Sequence, residues 1–287
     1  MKILVLGAGG MAGHTAALYL SERGYDVTGF GRTGSPVCKT ILGDARDQDA
    51  LRKALKSEHW THIVNCAGLL NADCDADPIS AVEVNTLLPL RLYAHCSQSG
   101  ARLVHISTDY VFRGRTAPYT IADPPDGITG YARTKALGEV TGPNAVTLRT
   151  SIVGPDLNPG GRGLFNWFMQ AQSPVNGFAN AAWTGITSLT LAKVIEQCIL
   201  RGAEGLCQPV PDTSISKYSL LCLFSRLFTD GEKTVLKDPS PRVTPVLEQT
   251  IPFPCAIPDY ETMLLELREW TNRHSALYPH YRLTEKP

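Results

Sequence analysis

The chain has 287 residues, 43% of them apolar, and its 27 Lys and Arg residues balance its 27 Asp and Glu residues. This length suits one large domain or two interlocked ones with a full hydrophobic core. The balanced charge argues against a nucleic-acid or membrane-surface partner, because both favour a basic surface. No stretch approaches the roughly 18 apolar residues of a membrane span, so the sequence predicts a soluble, cytoplasmic protein.

The first 150 residues alternate short apolar runs with amphipathic segments. Strands are predicted at residues 2–6, 27–30, 40–42, 62–65, 102–106 and 145–149. Helices are predicted between them at residues 11–23, 47–56, 79–97 and 131–140. This alternation predicts an α/β fold of the Rossmann type, a doubly wound parallel sheet with helices on both faces. Such sheets bind their ligands at the C-terminal ends of the strands.

Beyond Gly154 the composition shifts toward Gly, Pro and Asn, with one clear helix at residues 189–200. This composition predicts a smaller, loop-rich C-terminal lobe that closes over a ligand. The predicted division is a first domain at 1–155, a helix at 186–201 that packs back on it, and a substrate-binding lobe at 156–185 and 202–287.

A glycine-rich segment follows the first predicted strand and opens the first helix. In one register, Gly7, Gly9 and Ala12 fit the pattern G-x-G-x-x-G/A. In the other, Gly7, Gly10 and Gly13 fit G-x-x-G-x-x-G, and both registers stay open. Glycines between a strand and a helix let a pyrophosphate approach the N–H groups of the helix N-terminus. The segment therefore predicts a dinucleotide-binding loop.

The end of the second predicted strand bears on the choice of nicotinamide cofactor. Asp26 precedes the apolar run, so no acid stands at the strand end where NAD enzymes bind the ribose 2′-OH. Arg32 and Thr33 stand there instead and suit a 2′-phosphate, which favours NADP(H), with NAD(H) as the alternative. Asp44, followed by Ala45 after the third strand, could reach the adenine amino group or cap the following turn.

A tyrosine and a lysine lie one helical turn apart at Tyr131 and Lys135. On a shared helix face, the ammonium can lower the pKa of the phenol and make it a proton donor. Thr108 follows the predicted strand 102–106, at the strand end where active-site residues collect. A Ser or Thr at such a position is also a common turn residue. The three residues form the candidate catalytic group.

The eight cysteines are scattered, without a C-x-x-C pair and without a His at zinc-ligand spacing. Several lie in apolar runs, as Cys66 and Cys222 do. Such residues behave as small buried hydrophobes in a reducing compartment. The sequence therefore predicts free thiols and no metal site.

Three further segments carry a family resemblance together with the glycine loop and the Tyr131–Lys135 pair. They are Asn65-Cys66-Ala67-Gly68, Ser107-Thr108-Asp109-Tyr110-Val111-Phe112-Arg113-Gly114 and Gly138-Glu139. On these motifs the chain resembles the extended short-chain dehydrogenases/reductases, and most closely their dTDP-4-dehydrorhamnose reductase-like branch. The resemblance is specific over residues 1–155 and looser beyond.

The resemblance implies roles for individual residues. Thr108 would hydrogen-bond the substrate carbonyl, Tyr131 would protonate it, and Lys135 would bind the nicotinamide ribose and tune Tyr131. Asn85 falls where the superfamily often keeps a structural Asn, although a surface helix residue is equally consistent. The implied cofactor-binding residues are Gly7, Gly9, Gly10, Met11, Ala12, Gly13, Arg32, Thr33, Asp44, Ala45, Cys66, Ala67, Gly68, Asn85, Tyr131 and Lys135. The implied substrate-binding residues are Thr108, Asp109, Tyr110, Arg162 and Trp183.

The implied function is an NADPH-dependent reductase of a nucleotide-linked 4-keto-6-deoxy sugar in polysaccharide biosynthesis. Relatives that dehydrate such sugars carry Thr-Asp-Glu where this chain has Thr108-Asp109-Tyr110, which disfavours elimination. Some relatives bind a metal through carboxylates, but His14 stands where an acid is wanted. The alternatives are a non-catalytic NADP-binding regulatory subunit of the same fold, or a sugar-nucleotide epimerase. The expected partner is the small-molecule substrate, with a homodimer left open.

Overall fold

A seven-stranded parallel sheet forms the centre of the computed structural model, which describes residues 1–115 and 118–282. Residues 116–117 of the predicted first domain and 283–287 of the predicted lobe lie outside the described residues. The strands are β1 (Lys2–Leu6), β2 (Asp26–Gly31), β3 (Lys39–Leu42), β4 (His62–Asn65), β5 (Arg102–Ile106), β6 (Ala145–Leu148), β7 (Ile152–Val153), β8 (Val175–Phe178), β9 (Ala182–Trp183), β10 (Ile186–Thr187), β11 (Gly205–Cys207), β12 (Ile215–Ser216) and β13 (Val235–Asp238).

The helices surround this sheet and build the C-terminal part. They are α1 (Met11–Glu22), α2 (Gln48–Lys56), α3 (Asn71–Ala76), α4 (Pro78–Val82), α5 (Leu88–Ser99), α6 (Gly130–Leu137), α7 (Leu164–Gln170), α8 (Ser188–Arg201), α9 (Lys217–Phe228) and α10 (Tyr260–Arg273). Shorter turns are a π-helical turn at Glu83–Leu87 and 3₁₀ turns at Asp109–Val111 and Ser275–Leu277.

The strand order of the sheet is β11-β6-β5-β4-β1-β2-β3, and each neighbouring pair is parallel. The chain winds outward from β1 in one direction through β3 and then in the other direction from β4. The order therefore reverses between β1 and β4, and a crevice opens at the C-terminal ends of these two strands. The predicted doubly wound Rossmann-type fold is confirmed.

Helices cover both faces of the sheet. On one face α1 lies beside α8, and the Thr15 hydroxyl donates to the Ser188 hydroxyl at 3.1 Å. On the other face, Leu51 of α2 and Leu92 of α5 are buried in a second apolar cluster. The strands between them are buried on both sides, which explains why β1 reads as a continuous apolar run.

Two elements differ from their predicted form. The helix predicted at 79–97 is divided by the π-helical turn, because Pro89 in the first turn of α5 has no N–H to continue the hydrogen-bond ladder. The strand β11 belongs to the central sheet and pairs with β6, although the predicted division placed residues 202–287 in the lobe. A strand of three residues is too short to show a strand period in the sequence, and the division into a first domain and a lobe stays a prediction.

The C-terminal part is built from short strand pairs and three helices. Four phenylalanines of α7 and α9 meet edge to face and form its core: Phe165, Phe168, Phe224 and Phe228. The parallel pair β8–β13 and the antiparallel pair β9–β12 position the start of α9. Of the helices in residues 1–115 and 118–282, none has the length and apolarity needed to cross a membrane.

Candidate active site

A cavity of about 510 Å³ opens at the C-terminal ends of β1, β4 and β5, as the sheet topology predicts. Its lining residues come from positions between Gly10 and Pro245. Those that the sequence had singled out are Gly10, Met11, Ala12, Cys66, Ala67, Gly68, Thr108, Asp109, Tyr110, Tyr131, Lys135, Arg162 and Trp183. The predicted residues Gly7, Gly9, Gly13, Arg32, Thr33, Asp44, Ala45 and Asn85 do not line it.

The glycine loop shapes the cofactor end of this cavity. Gly7 has a positive φ of 77°, and a Cβ atom at Gly13 would collide with the Gly7 carbonyl oxygen. These two glycines allow α1 to start tightly against β1, so their role is to shape the loop. Gly10 is the N-cap residue of α1, and no side chain accepts a hydrogen bond from the first N–H groups of this helix. These N–H groups are therefore available to bind a ligand. An uncapped helix N-terminus that faces the cavity fits a diphosphate.

The loop after β4 forms the opposite wall. The Asn65 side-chain oxygen accepts a hydrogen bond from the Ala67 backbone N–H at 3.2 Å, and the Asn65 amide nitrogen lies 3.1 Å from Nδ1 of His105. Burial raises the pKa of the Cys66 thiol to about 12. Cys66 therefore lines the cavity as an uncharged thiol.

Asn85 holds this loop from behind. Its side chain is fully buried, which rules out the alternative of a surface helix residue. The amide accepts from the Leu69 N–H at 2.9 Å and donates to the Leu69 carbonyl at 3.1 Å. It also donates to the Thr134 hydroxyl of α6 at 3.2 Å. Asn85 thus positions the loop and α6, and its contact with a cofactor stays a prediction.

The candidate catalytic side chains meet at one wall of the cavity. Lys135 is buried, and its ammonium donates to the Ile106 carbonyl oxygen at 2.7 Å. Burial lowers the pKa of Lys135 to about 8 and raises that of Tyr131 to about 12. The neighbouring Thr108 hydroxyl acts in the opposite direction and offsets part of the rise. Tyr131 is therefore a protonated donor at neutral pH, with a cation in the next turn of the same helix.

Asp109 lies beside this group in the 3₁₀ turn and is only 3% exposed. Burial raises the pKa of its carboxyl to about 6, while the Thr108 hydroxyl and the charge of Lys217 act in the opposite direction. The Thr108 hydroxyl is 3.2 Å from Oδ1 of Asp109. Tyr110, by contrast, is 41% exposed and lies at the cavity rim.

The residues predicted for the adenosine half lie outside the cavity, on the far side of the glycine loop. Arg32 and Thr33 are exposed after β2, and Thr33 lies close to Gly9. The Asp44 carboxylate is occupied, because it accepts from the Arg46 backbone N–H at 2.9 Å and forms an ion pair with the Arg46 guanidinium. The turn-capping alternative for Asp44 is the one that the structure shows.

The two substrate residues predicted beyond the first domain both reach the cavity. Trp183 is 5% exposed in β9 and lines the lobe side. Arg162 forms an ion pair with Asp73 of α3 at 2.9 Å, so it joins the lobe loop to the first domain across the cavity mouth. Both side chains of this pair are largely exposed, so the pair is weak, and the substrate-binding role of Arg162 stays a prediction.

Several lining residues were not predicted. They are Leu69, Leu70, Asn71, Ser107, Thr150, Ser151, Ile152, Val153, Asp156, Lys217, Thr244 and Pro245, among others. Lys217 stands in the segment Ser214–Tyr218, whose helix-start pattern is visible in the sequence but carries no chemical signature. Leu69, Leu70, Asn71 and Ser107 adjoin predicted residues of the first domain in the chain. Asp156, Thr244 and Pro245 reach the site only through the folding of the C-terminal part.

His14 has a structural environment. It is fully buried, with Nδ1 2.9 Å from the Gly10 carbonyl oxygen and Nε2 2.8 Å from the Tyr278 hydroxyl. Burial lowers its pKa. In the described part of the chain, no group of three or more His, Cys, Asp or Glu side chains is arranged to hold a metal ion.

The sequence and structure comparisons both find proteins named dTDP-4-dehydrorhamnose reductase. The chain is 33% identical to dTDP-4-dehydrorhamnose reductase of Mycolicibacterium smegmatis over 159 residues, which cover 53% of this chain and 46% of that protein. It spans about half the length of the curated relatives that it matches. A crystal structure of a dTDP-4-dehydrorhamnose reductase from Clostridium acetobutylicum superimposes with a TM-score of 0.79 at 21% identity, covering 95% of this chain and all of that one.

A second solved structure, dTDP-4-dehydrorhamnose reductase from Bacillus anthracis in complex with NADP, has a TM-score of 0.79 at 19% identity and covers 94% of this chain and 99% of that one. At these identities the two structures support the fold. The family model described as RmlD substrate binding domain matches residues 1–171, more than half of the chain. The chain therefore belongs to the RmlD substrate binding domain family.

Proposed function

We propose that this protein is an NADPH-dependent reductase of a nucleotide-linked 4-keto-6-deoxy sugar. The observation that carries the proposal is the meeting of Thr108, Tyr131 and Lys135 at one wall of a cavity whose other end is the uncapped N-terminus of α1. A proton donor and an anion-binding helix end at opposite sides of one cavity suit the reduction of a carbonyl with a dinucleotide. The curated relatives named dTDP-4-dehydrorhamnose reductase support the substrate class.

The residues at the glycine loop fit the cofactor. The N–H groups at the start of α1 would bind the diphosphate, and Arg32 would face the 2′-phosphate. Lys135 would hold the nicotinamide ribose from α6. NADPH supplies a hydride when it is bound. The solved relative in complex with NADP supports the choice of NADP(H), and NAD(H) remains the alternative.

The protein side chains supply the proton and the electrostatic stabilisation. The Thr108 hydroxyl donates to the substrate carbonyl oxygen, and the Tyr131 hydroxyl gives up its proton as negative charge grows there. The Lys135 ammonium stabilises the phenolate that is left. The buried walls exclude water and strengthen each of these interactions.

The test is NADPH oxidation with a dTDP-linked 4-keto-6-deoxy sugar, followed by absorbance. We expect turnover by the wild type and a fall in kcat of about 100-fold or more for Tyr131→Phe, because general acid catalysis contributes about that much. Tyr93→Phe, which lies outside the cavity, is the matched control. Full turnover by Tyr131→Phe would contradict the proton-donor role. NADP binding and stable capture of a partner enzyme without any NADPH consumption would favour the regulatory-subunit alternative instead. A homodimer and a cytoplasmic location stay predictions.

A further inference from the structure

A buried ion pair beside the candidate catalytic group has no role in the proposed function. Glu139 follows α6 by two residues, and Arg149 directly follows β6. Nε and Nη2 of Arg149 donate to the two carboxylate oxygens of Glu139 at 2.8 and 2.6 Å. The Arg149 side chain is 4% exposed and that of Glu139 is 7% exposed. Stability alone gives no reason for such a pair, because the desolvation of two charges offsets most of their attraction.

The carboxylate of the pair fixes the residue that precedes Thr108. The Ser107 hydroxyl donates to Oε1 of Glu139 at 2.7 Å. The Ser107 backbone N–H also donates to the carbonyl of Leu148, the residue before Arg149, at 2.8 Å. Ser107 is thus fixed through both its side chain and its backbone, and Thr108 begins the 3₁₀ turn directly after it.

The guanidinium of the pair contacts the other end of the same segment. Phe112 ends the 3₁₀ turn and is buried, and the guanidinium carbon of Arg149 lies 5.0 Å from the centre of its ring. A cation over an aromatic face at this distance is attracted to it, and more strongly where water is excluded. One ion pair therefore contacts both ends of segment 107–112, which carries Thr108 and Asp109.

Helix α6 supplies a further contact to this strand end. The Lys135 ammonium donates to the Ile106 carbonyl at 2.7 Å, so Ile106 and Ser107 are fixed by side chains four positions apart in the chain. The Thr108 hydroxyl that follows accepts from the Tyr110 N–H at 3.2 Å, so its direction depends on the same segment. A group that is fixed in place before the reaction contributes much more to catalysis than a mobile one.

We infer that the Glu139–Arg149 ion pair is a positioning device, which fixes both ends of segment 107–112 and thereby the place of the Thr108 hydroxyl against the reacting carbonyl. The described residues that line the cavity include neither member of the pair, so both act through Thr108 as positioning residues. The inference rests on the proposed function, because the reduction is what requires the hydroxyl in that place.

The experiment removes the ion pair without leaving a buried charge. The double variant Glu139→Leu, Arg149→Met puts apolar side chains in both positions, and replacements of this kind often keep or increase stability, which thermal melting checks. We expect kcat for NADPH oxidation with a dTDP-linked 4-keto-6-deoxy sugar to fall about tenfold or more, while KM for the sugar changes less than about threefold. The control Lys193→Met, Glu266→Leu removes an ion pair between α8 and α10 and should leave kcat unchanged.

A cycle with Thr108→Val measures whether the loss passes through Thr108. In that background, which has no hydroxyl to misplace, the double variant should lower kcat less than about threefold. Ser107→Ala is the second variant and serves if the double variant does not fold. It removes one contact of the segment and keeps Glu139, whose charge raises the pKa of Lys135, and it should show the same dependence on Thr108. An unchanged kcat in the folded variants, or an equal loss in both backgrounds, would overturn the inference.

Hydrogen exchange separates the inference from the proposed function. Exchange at the Tyr110 amide, which donates to Thr108, should accelerate about tenfold or more in the folded variants and stay unchanged in the control. Turnover by the wild type with unchanged exchange in the variants overturns the inference alone. Accelerated exchange without turnover by the wild type supports the fixing of segment 107–112 and overturns the reductase, and unchanged exchange without turnover overturns both.

Discussion

At the residue scale, one physical cause sets the chemistry of the candidate site. Burial disfavours the charged form of every group, so it raises the pKa of Tyr131 to about 12 and that of Asp109 to about 6 while it lowers that of Lys135 to about 8. The phenol thus stays protonated, and the ammonium lies within reach of neutral pH. The site is a proton donor beside a cation whose charge is easily lost.

The pKa of Lys135 predicts a pH limit for cofactor binding. Its charge is complete well below pH 8 and is lost as the pH rises through about 8, so affinity for the anionic cofactor should fall above that pH. NADPH fluorescence titration between pH 6.5 and 9.5 measures the effect. Lys135→Arg keeps its charge over the whole range and should lose the inflection. A constant Kd for the wild type up to pH 9.5 would contradict the role of Lys135.

The raised pKa of Asp109 predicts that ionising its carboxyl lowers the free energy of unfolding. Because its pKa rises from 3.8 to about 6 on folding, the folded state favours the protonated form, and this contribution is lost as the pH rises through 6. Asp109→Asn should therefore increase the free energy of unfolding by about 3 kcal/mol at pH 8 and by little at pH 4. Urea denaturation at both pH values is the measurement. The exposed Asp212→Asn should show no such difference, and a pH-independent effect of Asp109→Asn would refute the assignment.

At the element scale, the π-helical turn between α4 and α5 connects the cofactor loop to α6. Asn85 stands in this turn and makes hydrogen bonds to both partners, Leu69 and Thr134. The absence of an N–H at Pro89 breaks the regular ladder at this place. The irregularity lets one side chain reach two elements of the site.

Replacing Asn85 by Ala should release this connection. The substitution leaves the half-buried N–H of Leu69 without its acceptor, while the Leu69 carbonyl keeps the hydrogen bond from the Cys74 thiol. The loss costs about 2 kcal/mol of unfolding free energy. The loop should then open locally, so hydrogen exchange at the Leu69 amide should accelerate and NADPH should bind more weakly. Gln98→Ala on the exposed face of α5 is the control. Unchanged exchange at Leu69 would show that the loop is held by other contacts.

At the scale of the whole molecule, the segment at residues 275–282 joins the first domain to the lobe. Tyr278 is 1% exposed and bonds to His14 behind the glycine loop. The Tyr281 hydroxyl donates to the Asn166 side chain at 2.6 Å and accepts from the Asp156 N–H at 2.9 Å. Because Asp156 lines the cavity and His14 holds Gly10, the two tyrosines connect both ends of the site.

Tyr278→Phe should weaken this connection. The Gly10 carbonyl can only accept, so Nδ1 of His14 carries the proton and Nε2 needs the Tyr278 hydroxyl as its donor. Leaving Nε2 unpaired in the interior should lower the free energy of unfolding by about 2 kcal/mol and raise Kd for NADPH. Urea unfolding and a fluorescence titration measure the two effects, with Tyr93→Phe as control. A loss of stability without any change in Kd would separate His14 from the cofactor loop.

The sequence by itself determined the fold class and predicted many of the residues that line the candidate cavity. Alternating apolar runs and helical periods specify the parallel sheet, and local motifs such as the glycine loop and the Tyr131–Lys135 spacing lie within a single strand-turn-helix unit or one helix. The structure of such local motifs can be predicted from the sequence because contacts between neighbouring residues fix their geometry. The family resemblance supplied roles for Thr108 and its neighbours but could not show which predicted residues line the cavity.

Only the tertiary structure decided which distant side chains meet. The pairing of Arg162 with Asp73, the place of Lys217 opposite Asp109 and the burial of His14 under Tyr278 join residues far apart in the chain. The strand β11 also depends on a long-range contact, because its three residues form a strand by pairing with β6. Packing and burial, which no local pattern encodes, set these contacts and the pKa values that follow from them.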